Sequence, residues 1–181
     1  MMAIMSAELD SLLLELKGHD CEFAAGAPVF HINDPVRIVH FMRRGTIHLV
    51  RHQEGGAALI LQRARAGSIL AEASVYSDHY HCDARADSDA VTWAVARKDL
   101  CRRLEAKTEA SQAWARYLAH EVQRARLHAE ILSLKTVEAR LNAWIAWNGV
   151  LPGKGQRRRI ADEIGVSPEA FYRELARRRI V

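Results

Sequence analysis

Short apolar stretches and turn residues alternate through residues 21–96. The apolar stretches are Pro28–Ile32, Ile38–Met42, Thr46–Val50, Ala57–Leu61 and Val91–Val95. Asn33-Asp34-Pro35, Arg44-Gly45, Glu54-Gly55-Gly56 and Ala66-Gly67 supply the turns. Strands recurring about every ten residues predict a sandwich or barrel. Glu54-Gly55-Gly56 suits a hairpin turn, because glycine accepts φ > 0 without strain. From Arg97 to Asn148 the pattern changes, and glycine and proline vanish. Leu100 and Leu104 share a helical face. After Glu109, Trp114, Leu118, Val122, Ala125, Ala129 and Leu132 recur at spacings of three and four. That spacing predicts a long amphipathic helix with a narrow seam of the coiled-coil kind. A second helix is predicted over Thr136–Trp147, carrying Val137, Leu141, Trp144 and Ile145, with Gly149 ending it. Pro152-Gly153-Lys154-Gly155 marks a boundary. At the N-terminus Met5–Lys17 reads as amphipathic, with Leu12, Leu13 and Leu16 on one face.

The sharpest local pattern lies between Arg157 and Arg179. Ile160, Ala161 and Ile164 form the apolar face of a first helix, and the small Ala161 admits a close neighbour. Gly165 suits the left-handed corner of a tight inter-helix turn. Val166 fills the corner, Ser167 is a good N-cap, and Pro168 fits the first helical position. Phe171 and Leu175 anchor the second helix, leaving Glu169, Tyr172, Arg173, Ala176 and Arg177 on its outer side. Arginine holds guanine O6 and N7 bidentately, and glutamate accepts from cytosine N4. A helix with that outer face fits a helix-turn-helix reader of the DNA major groove.

Charge strengthens this reading. The net charge is +4. Lys154–Val181 holds eight cations and four anions, and the remainder balances at eighteen of each. All the excess therefore sits beside the predicted reader, the footprint of a polyanionic partner. Arg157 and Arg158 are expected phosphate contacts, with Ser167, Glu169, Tyr172, Arg173 and Arg177 completing the DNA-facing set. No apolar run approaches the ~20 residues of a membrane span, and Met1–Asp20 lacks the pattern of a secretion signal. Cys21, Cys82 and Cys101 are odd in number and form no CxxC pair. A reducing cytoplasm fits that usage. No phosphate loop, dinucleotide fingerprint, HExxH or nucleophile elbow occurs, so no enzyme is expected.

With these features in place, the sequence resembles the CRP/FNR family of bacterial transcription regulators over roughly Phe23–Val181. Phe23-Ala24-Ala25-Gly26-Ala27-Pro28-Val29-Phe30 is similar to the family's opening strand, and Phe41-Met42-Arg43-Arg44-Gly45 to the strand and turn that follow. Gly67-Ser68-Ile69-Leu70-Ala71-Glu72 resembles the start of its phosphate-binding cassette. Arg97-Lys98-Asp99-Leu100 is similar to the start of its helices, and Glu109–Ser133 to its dimer helix. Ile160–Ser167 with Arg173-Glu174-Leu175 resembles its DNA reader. The resemblance implies an α+β chain in three parts. A jelly-roll sensor like a cyclic-nucleotide-binding domain spans residues 1–98, a dimerisation helix 99–135, and a helix-turn-helix domain 136–181 with a short or absent wing. It also implies double-stranded DNA, a second copy of the chain and RNA polymerase as partners. Glu169 and Arg173 take the base-reading positions. The expected dimer seam is Trp114, Leu118, Val122, Ala125 and Leu132.

The sensor departs from the family pattern. Members that bind cyclic nucleotides carry an Arg-Ser or Arg-Thr pair for the cyclic phosphate, whereas this chain has Tyr80-His81-Cys82-Asp83-Ala84. Glu72, implied to hold the ribose hydroxyl, is retained. A buried phosphate without a paired cation is costly, so cyclic AMP is not expected. The effector is unknown, and Glu72, Tyr80, His81 and Cys82 are the candidate pocket. On a strand, His79, His81 and Asp83 would share one face and Tyr80, Cys82 and Ala84 the other. The first set could bind a divalent metal, and Cys82 could act as a thiolate sensor. A metal- or redox-sensing regulator and a ligand-independent one both stay open. Glu174 also departs from the pattern, standing where the reader motif usually has an apolar residue.

Overall fold

The computed structural model describes residues 16–52, 58–151, 153 and 157–178. The Met5–Lys17 stretch up to residue 15, the Glu54-Gly55-Gly56 turn, Pro152, Lys154-Gly155 and the last three residues lie outside the described residues, as does the Arg158 side chain. The chain divides into two compact units, Met1–Leu118 and Ala119–Val181.

The first unit is an antiparallel jelly roll. Its strands are β1 (Gly18–Phe23), β2 (Pro28–Phe30), β3 (Ile38–Arg44), β4 (Thr46–His52), β5 (Ala58–Arg65), β6 (Ile69–Leu70), β7 (Asp83–Ala86) and β8 (Ala90–Ala96). They form one four-stranded sheet in the order β1-β8-β3-β6 and another in the order β2-β7-β4-β5. Gly45 sits where the chain leaves the first sheet for the second, with φ +79. A Cβ there would strike the Asp89 carbonyl and the Ala90 Cα. Helix α1 (Arg97–Ala106) follows β8, and α2 (Thr108–Ser133) follows α1.

Alternation along β3 explains how the layers assemble. Val39 and Phe41 point to one side and share a buried cluster with Leu100 and Leu104 of α1 and Trp114 and Tyr117 of α2. Met42 points to the other side and joins Phe30, Ile47, Leu49, Tyr80 and Cys82 between the sheets. Ala64, Ala84, Ala86 and Ala90 are all nearly inaccessible. Small residues at these positions let the two sheets close on each other.

The second unit contains the rest of α2, then α3 (Val137–Asn148), α4 (Arg157–Glu163) and α5 (Pro168–Arg177). Thr136 caps α3 by accepting from the Ala139 amide at 3.1 Å. The core gathers Ile131, Leu141, Trp144, Ile160, Ala161, Ile164, Phe171 and Leu175. Among the described residues no helix is long and apolar enough to cross a membrane.

The expected seam along α2 needs correction. Trp114 is 3% exposed and lies in the core of the first unit, with Leu118 packed against that core. Helical spacing alone does not distinguish a face turned to a sheet from one left for another chain. Val122, Ala125 and Leu132 remain exposed.

Candidate nucleic-acid interface and sensor cassette

The α4–α5 pair is built around one left-handed corner. Gly165 adopts φ +65, and Val166 donates its amide back to the Ala161 carbonyl at 3.0 Å. This closes α4 after Glu163. Ser167 then takes extended dihedrals, and its hydroxyl accepts from the Ala170 amide at 3.2 Å. Pro168 opens α5, where its missing N–H costs nothing. Phe171 and Leu175 face inward and are almost fully buried. Glu169, Tyr172, Arg173 and Arg177 face outward and are exposed. Tyr172 stands edge-on to Phe171 with ring centroids 5.8 Å apart. Arg157, at the start of α4, is only half-buried, and its buried Nε has no hydrogen-bond partner.

Arg177 departs from its expected role as an open contact. Its guanidinium bonds Glu174 through Nε at 2.9 Å and Glu138 through an η nitrogen at 2.8 Å. Arg178 also donates to Glu174, at 2.6 Å. Glu174 is 8% exposed, so the acidic residue in an apolar position is sheltered but ion-paired. Hydrogen bonds from Arg177 and Arg178 hold its carboxyl well below the usual range, at about 2. The cluster fastens the end of α5 to the start of α3. Arg173 is thus the outward guanidinium of α5 for which no such internal ion pair is found among the described residues.

In the first unit, Ile69–Leu70 leads into Ala71, which adopts φ 54 and ψ 42, and then into a 3-10 turn over Glu72–Tyr76. Gln62 of β5 holds this cassette. Its carbonyl oxygen accepts from the Ala71 amide at 3.0 Å, and its amide nitrogen donates to the Ile69 carbonyl at 3.1 Å. The same nitrogen donates to the Glu72 carboxylate at 2.6 Å. The carboxylate implied to hold a ligand hydroxyl therefore bonds a side chain of its own chain. Tyr117 of α2 accepts from the Ile69 amide at 2.9 Å, and Arg97 of α1 donates to the Val75 carbonyl at 2.7 Å. Sequence reasoning missed Gln62, since nothing marks a glutamine in a strand as a cassette partner before its fold is known.

The other expected pocket residues differ in exposure and in what they contact. Tyr80 is 5% exposed and stacks on Phe30 with centroids 3.5 Å apart. Its hydroxyl donates to the Ile38 carbonyl at 2.8 Å, and burial pushes its pKa up to about 12. Cys82 is inaccessible within the inter-sheet core, and burial raises its thiol pKa. That setting differs from the exposed, electropositive one in which reactive cysteines sit. His81 is exposed, with Nδ1 at 3.4 Å from the Ser74 hydroxyl.

The expected alternation is present, with Tyr80, Cys82 and Ala84 buried and His79 and His81 exposed. The metal set is not. β7 begins only at Asp83, and His79 lies in a bridge to Pro35. The Asp83 carboxylate turns to the Ile32 amide at 2.9 Å, to His31 at 3.4 Å and to His52 at 3.9 Å. Among the described residues no group of three or more histidine, cysteine or acidic side chains gathers to hold a metal ion.

Comparison with known proteins places this geometry. No curated protein matches the sequence. FixK2 from Bradyrhizobium japonicum is 20% identical with a TM-score of 0.67, the match covering 90% of this chain and 84% of that one. The c-di-GMP responsive global regulator CLP of Xanthomonas campestris is 16% identical with a TM-score of 0.64, covering 96% and 91%. The catabolite activator protein of Thermus thermophilus is 19% identical with a TM-score of 0.55, covering 95% and 84%. These likenesses show a shared fold. Residues 20–107 match the family model described as the cyclic nucleotide-binding domain, and the β-rich unit has that fold.

Proposed function

We propose that the protein is a dimeric, sequence-specific DNA-binding transcription regulator of the CRP/FNR kind, acting in the cytoplasm. The outward face of α5 carries this reading. A capped helix held by a glycine corner presents Glu169, Tyr172 and Arg173 to solvent, and its inner face is locked by Phe171 and Leu175. A helix so presented fits the major groove, where Arg173 reads guanine and Glu169 reads cytosine. Arg157 and Arg158 contribute phosphate attraction that is blind to sequence. RNA polymerase is the expected downstream partner. Two copies pair through the exposed α2 stripe of Val122, Ala125 and Leu132 about a two-fold axis.

The test is binding of the intact protein to inverted repeats with half-sites about 34 Å apart, followed by fluorescence anisotropy. Arg173→Ala is expected to cost about 1–3 kcal/mol on the preferred site and little on random DNA. Equal losses on both would remove Arg173 as a base reader. Val122→Arg buries an unpaired charge in the pairing stripe and is expected to give monomers by light scattering. An unchanged dimer would place the interface elsewhere.

The cassette supports a ligand-independent regulator over one driven by cyclic AMP. Gln62 already engages Ala71, Ile69 and Glu72, and no arginine stands in Tyr80–Ala84. Titration calorimetry with cyclic AMP is expected to show no binding tighter than about 10 μM, roughly −7 kcal/mol. Tighter binding would mean that another cation reaches the cassette.

A further inference from the structure

Helix α2 ends at Ser133 and α4 ends at Glu163. The last carbonyls of any helix lack partners within it. Here one side chain, Arg140 of α3, serves both ends. Its Nε donates to the Leu134 carbonyl at 2.7 Å and one η nitrogen to the Leu132 carbonyl at 3.0 Å. The other η nitrogen donates to the carbonyls of Ile164 at 3.1 Å and Gly165 at 2.9 Å. All three guanidinium nitrogens are engaged, and each acceptor is main chain. A cation at two helix C-termini also complements both dipoles. His128 of α2 adds a parallel tie, with Nε2 at 2.9 Å from the Glu163 carbonyl.

We propose that Arg140 is the positioning residue that sets the register of the α4–α5 reader on the end of α2, and through it the half-site spacing that a dimer accepts. The proposal rests on the DNA-reading function above. Its geometry is a matter of reach. A planar fork with five donors can address four carbonyls on two helices together, and a lysine ammonium cannot. The contacts fall on the corner itself: Arg140 meets Ile164 and Gly165, the residues that turn α4 into α5. Displacing the corner relative to α2 breaks them together. If α2 carries the two-fold axis, the distance between readers follows from how rigidly each corner is fixed to its helix. Arg140 touches no base and no phosphate in this scheme.

The experiment uses full-length Arg140→Met, Arg140→Lys and His128→Ala on inverted repeats whose spacer is shortened or lengthened by one or two base pairs. The unaltered protein is expected to lose about tenfold in affinity per base pair of wrong spacing, comparable to one mismatched pair. Arg140→Met is expected to bind all spacings within about twofold while keeping its base preference within a half-site. Arg140→Lys should fall between, and His128→Ala should relax spacing less. A merely structural loss would lower every affinity alike and leave the spacing profile unchanged, and that outcome overturns the proposal. If Arg140→Met does not fold by circular dichroism, strict spacing in both remaining variants overturns it instead. Hydrogen exchange in the free protein separates this idea from DNA reading. Arg140→Met, or Arg140→Lys in its place, should speed exchange of the Ile164 and Val166 amides by about tenfold while sparing Leu175. No change there overturns the positioning role whatever the protein does with DNA. Faster exchange at the corner without any specific DNA binding would overturn the spacing proposal through the failure of the reader.

Discussion

The jelly-roll unit and the helical unit hold themselves together by different means. Among the described residues, the first buries one cluster of eleven side chains around Phe41 and another of thirteen around Ile47. The second buries eight, around Phe171. A smaller unit shelters a smaller fraction of its apolar surface. Polar ties with a charged partner occur in both units, as where Arg97 donates to the Val75 carbonyl in the roll. In the helical unit they supplement a smaller core. Trp144 donates to Glu163 at 2.9 Å, Glu174 is gripped by two arginines, and Arg140 spans four carbonyls. Hydrogen bonds to charged groups contribute about 1.5–3 kcal/mol each. Each such tie is a large share of a small total, so the helical unit is the more sensitive to single changes.

The largest expected effect breaks the weaker unit outright. Phe171→Ala removes a fully buried aromatic ring and is expected to cost about 3–5 kcal/mol. Ile47→Ala in the roll is expected to cost about 2–5 kcal/mol. Calorimetry of the full chain should show Phe171→Ala abolishing one transition and Ile47→Ala only lowering the other. A single transition that shifts equally in both variants would show that the units unfold as one.

Acid should separate the units next. His40 is 8% exposed, bonds Thr92 at 3.0 Å, and is pushed down to about 4 by burial and then by His19. The unfolded chain takes up that proton near 6.5, the folded roll only near 4. The unfolded state thus binds more protons between these values, and the roll loses about 2–3 kcal/mol as pH falls from 6.5 to 4. Glu174 protonates near 4.5 when unfolded and near 2 when paired. Its contribution is intact above 4.5 and lost as pH falls from 4.5 to 2. Solvent screening at the unit's edge limits it to about 1–2 kcal/mol. Urea midpoints measured against pH should show the two windows. His40→Gln should flatten the first and leave the second. A slope that persists in that variant would assign the first window to another group.

The smallest contrast concerns two glycines. Gly45→Ala must place a methyl against main chain, at Asp89 and Ala90, in a left-handed conformation. Gly165→Ala meets a side-chain end, Leu132 Cδ2, which can move. The first is expected to cost more than about 2 kcal/mol and the second about 1 kcal/mol, the penalty of the backbone conformation alone. Thermal melts of both variants test the order, and a reversed order would mean that Leu132 has no room to yield.

The fold was legible wherever apolar periodicity was strong. The five expected strands correspond to β2, β3, β4, β5 and β8, and the corner between α4 and α5 was legible from Gly165, Ser167 and Pro168. β6 has two residues and β7 reads Asp-Ala-Arg-Ala, so neither carries a strand signal of its own. Both exist because neighbouring strands supply their partners. Helical spacing put Trp114 in the stripe of Val122, but spacing names a face and not what covers it. The site was harder to read. Tyr80 and Cys82 look like chemistry in sequence, yet both are core residues of the segment that leads into β7. Gln62 and Arg140 look ordinary, and their importance comes from main-chain groups brought near by folding. Arg177 could have been foreseen as paired, since Glu174 precedes it by one helical turn.

The buried thiol of Cys82 has a practical consequence. Cys21 and Cys101 are half-buried, whereas Cys82 is inaccessible between the sheets. A thiol reagent added to the native protein meets the first two directly and the third only when the roll opens. The chain thus carries its own clock: the rate at which the last thiol is consumed counts openings of the sandwich, without a label and without unfolding the sample.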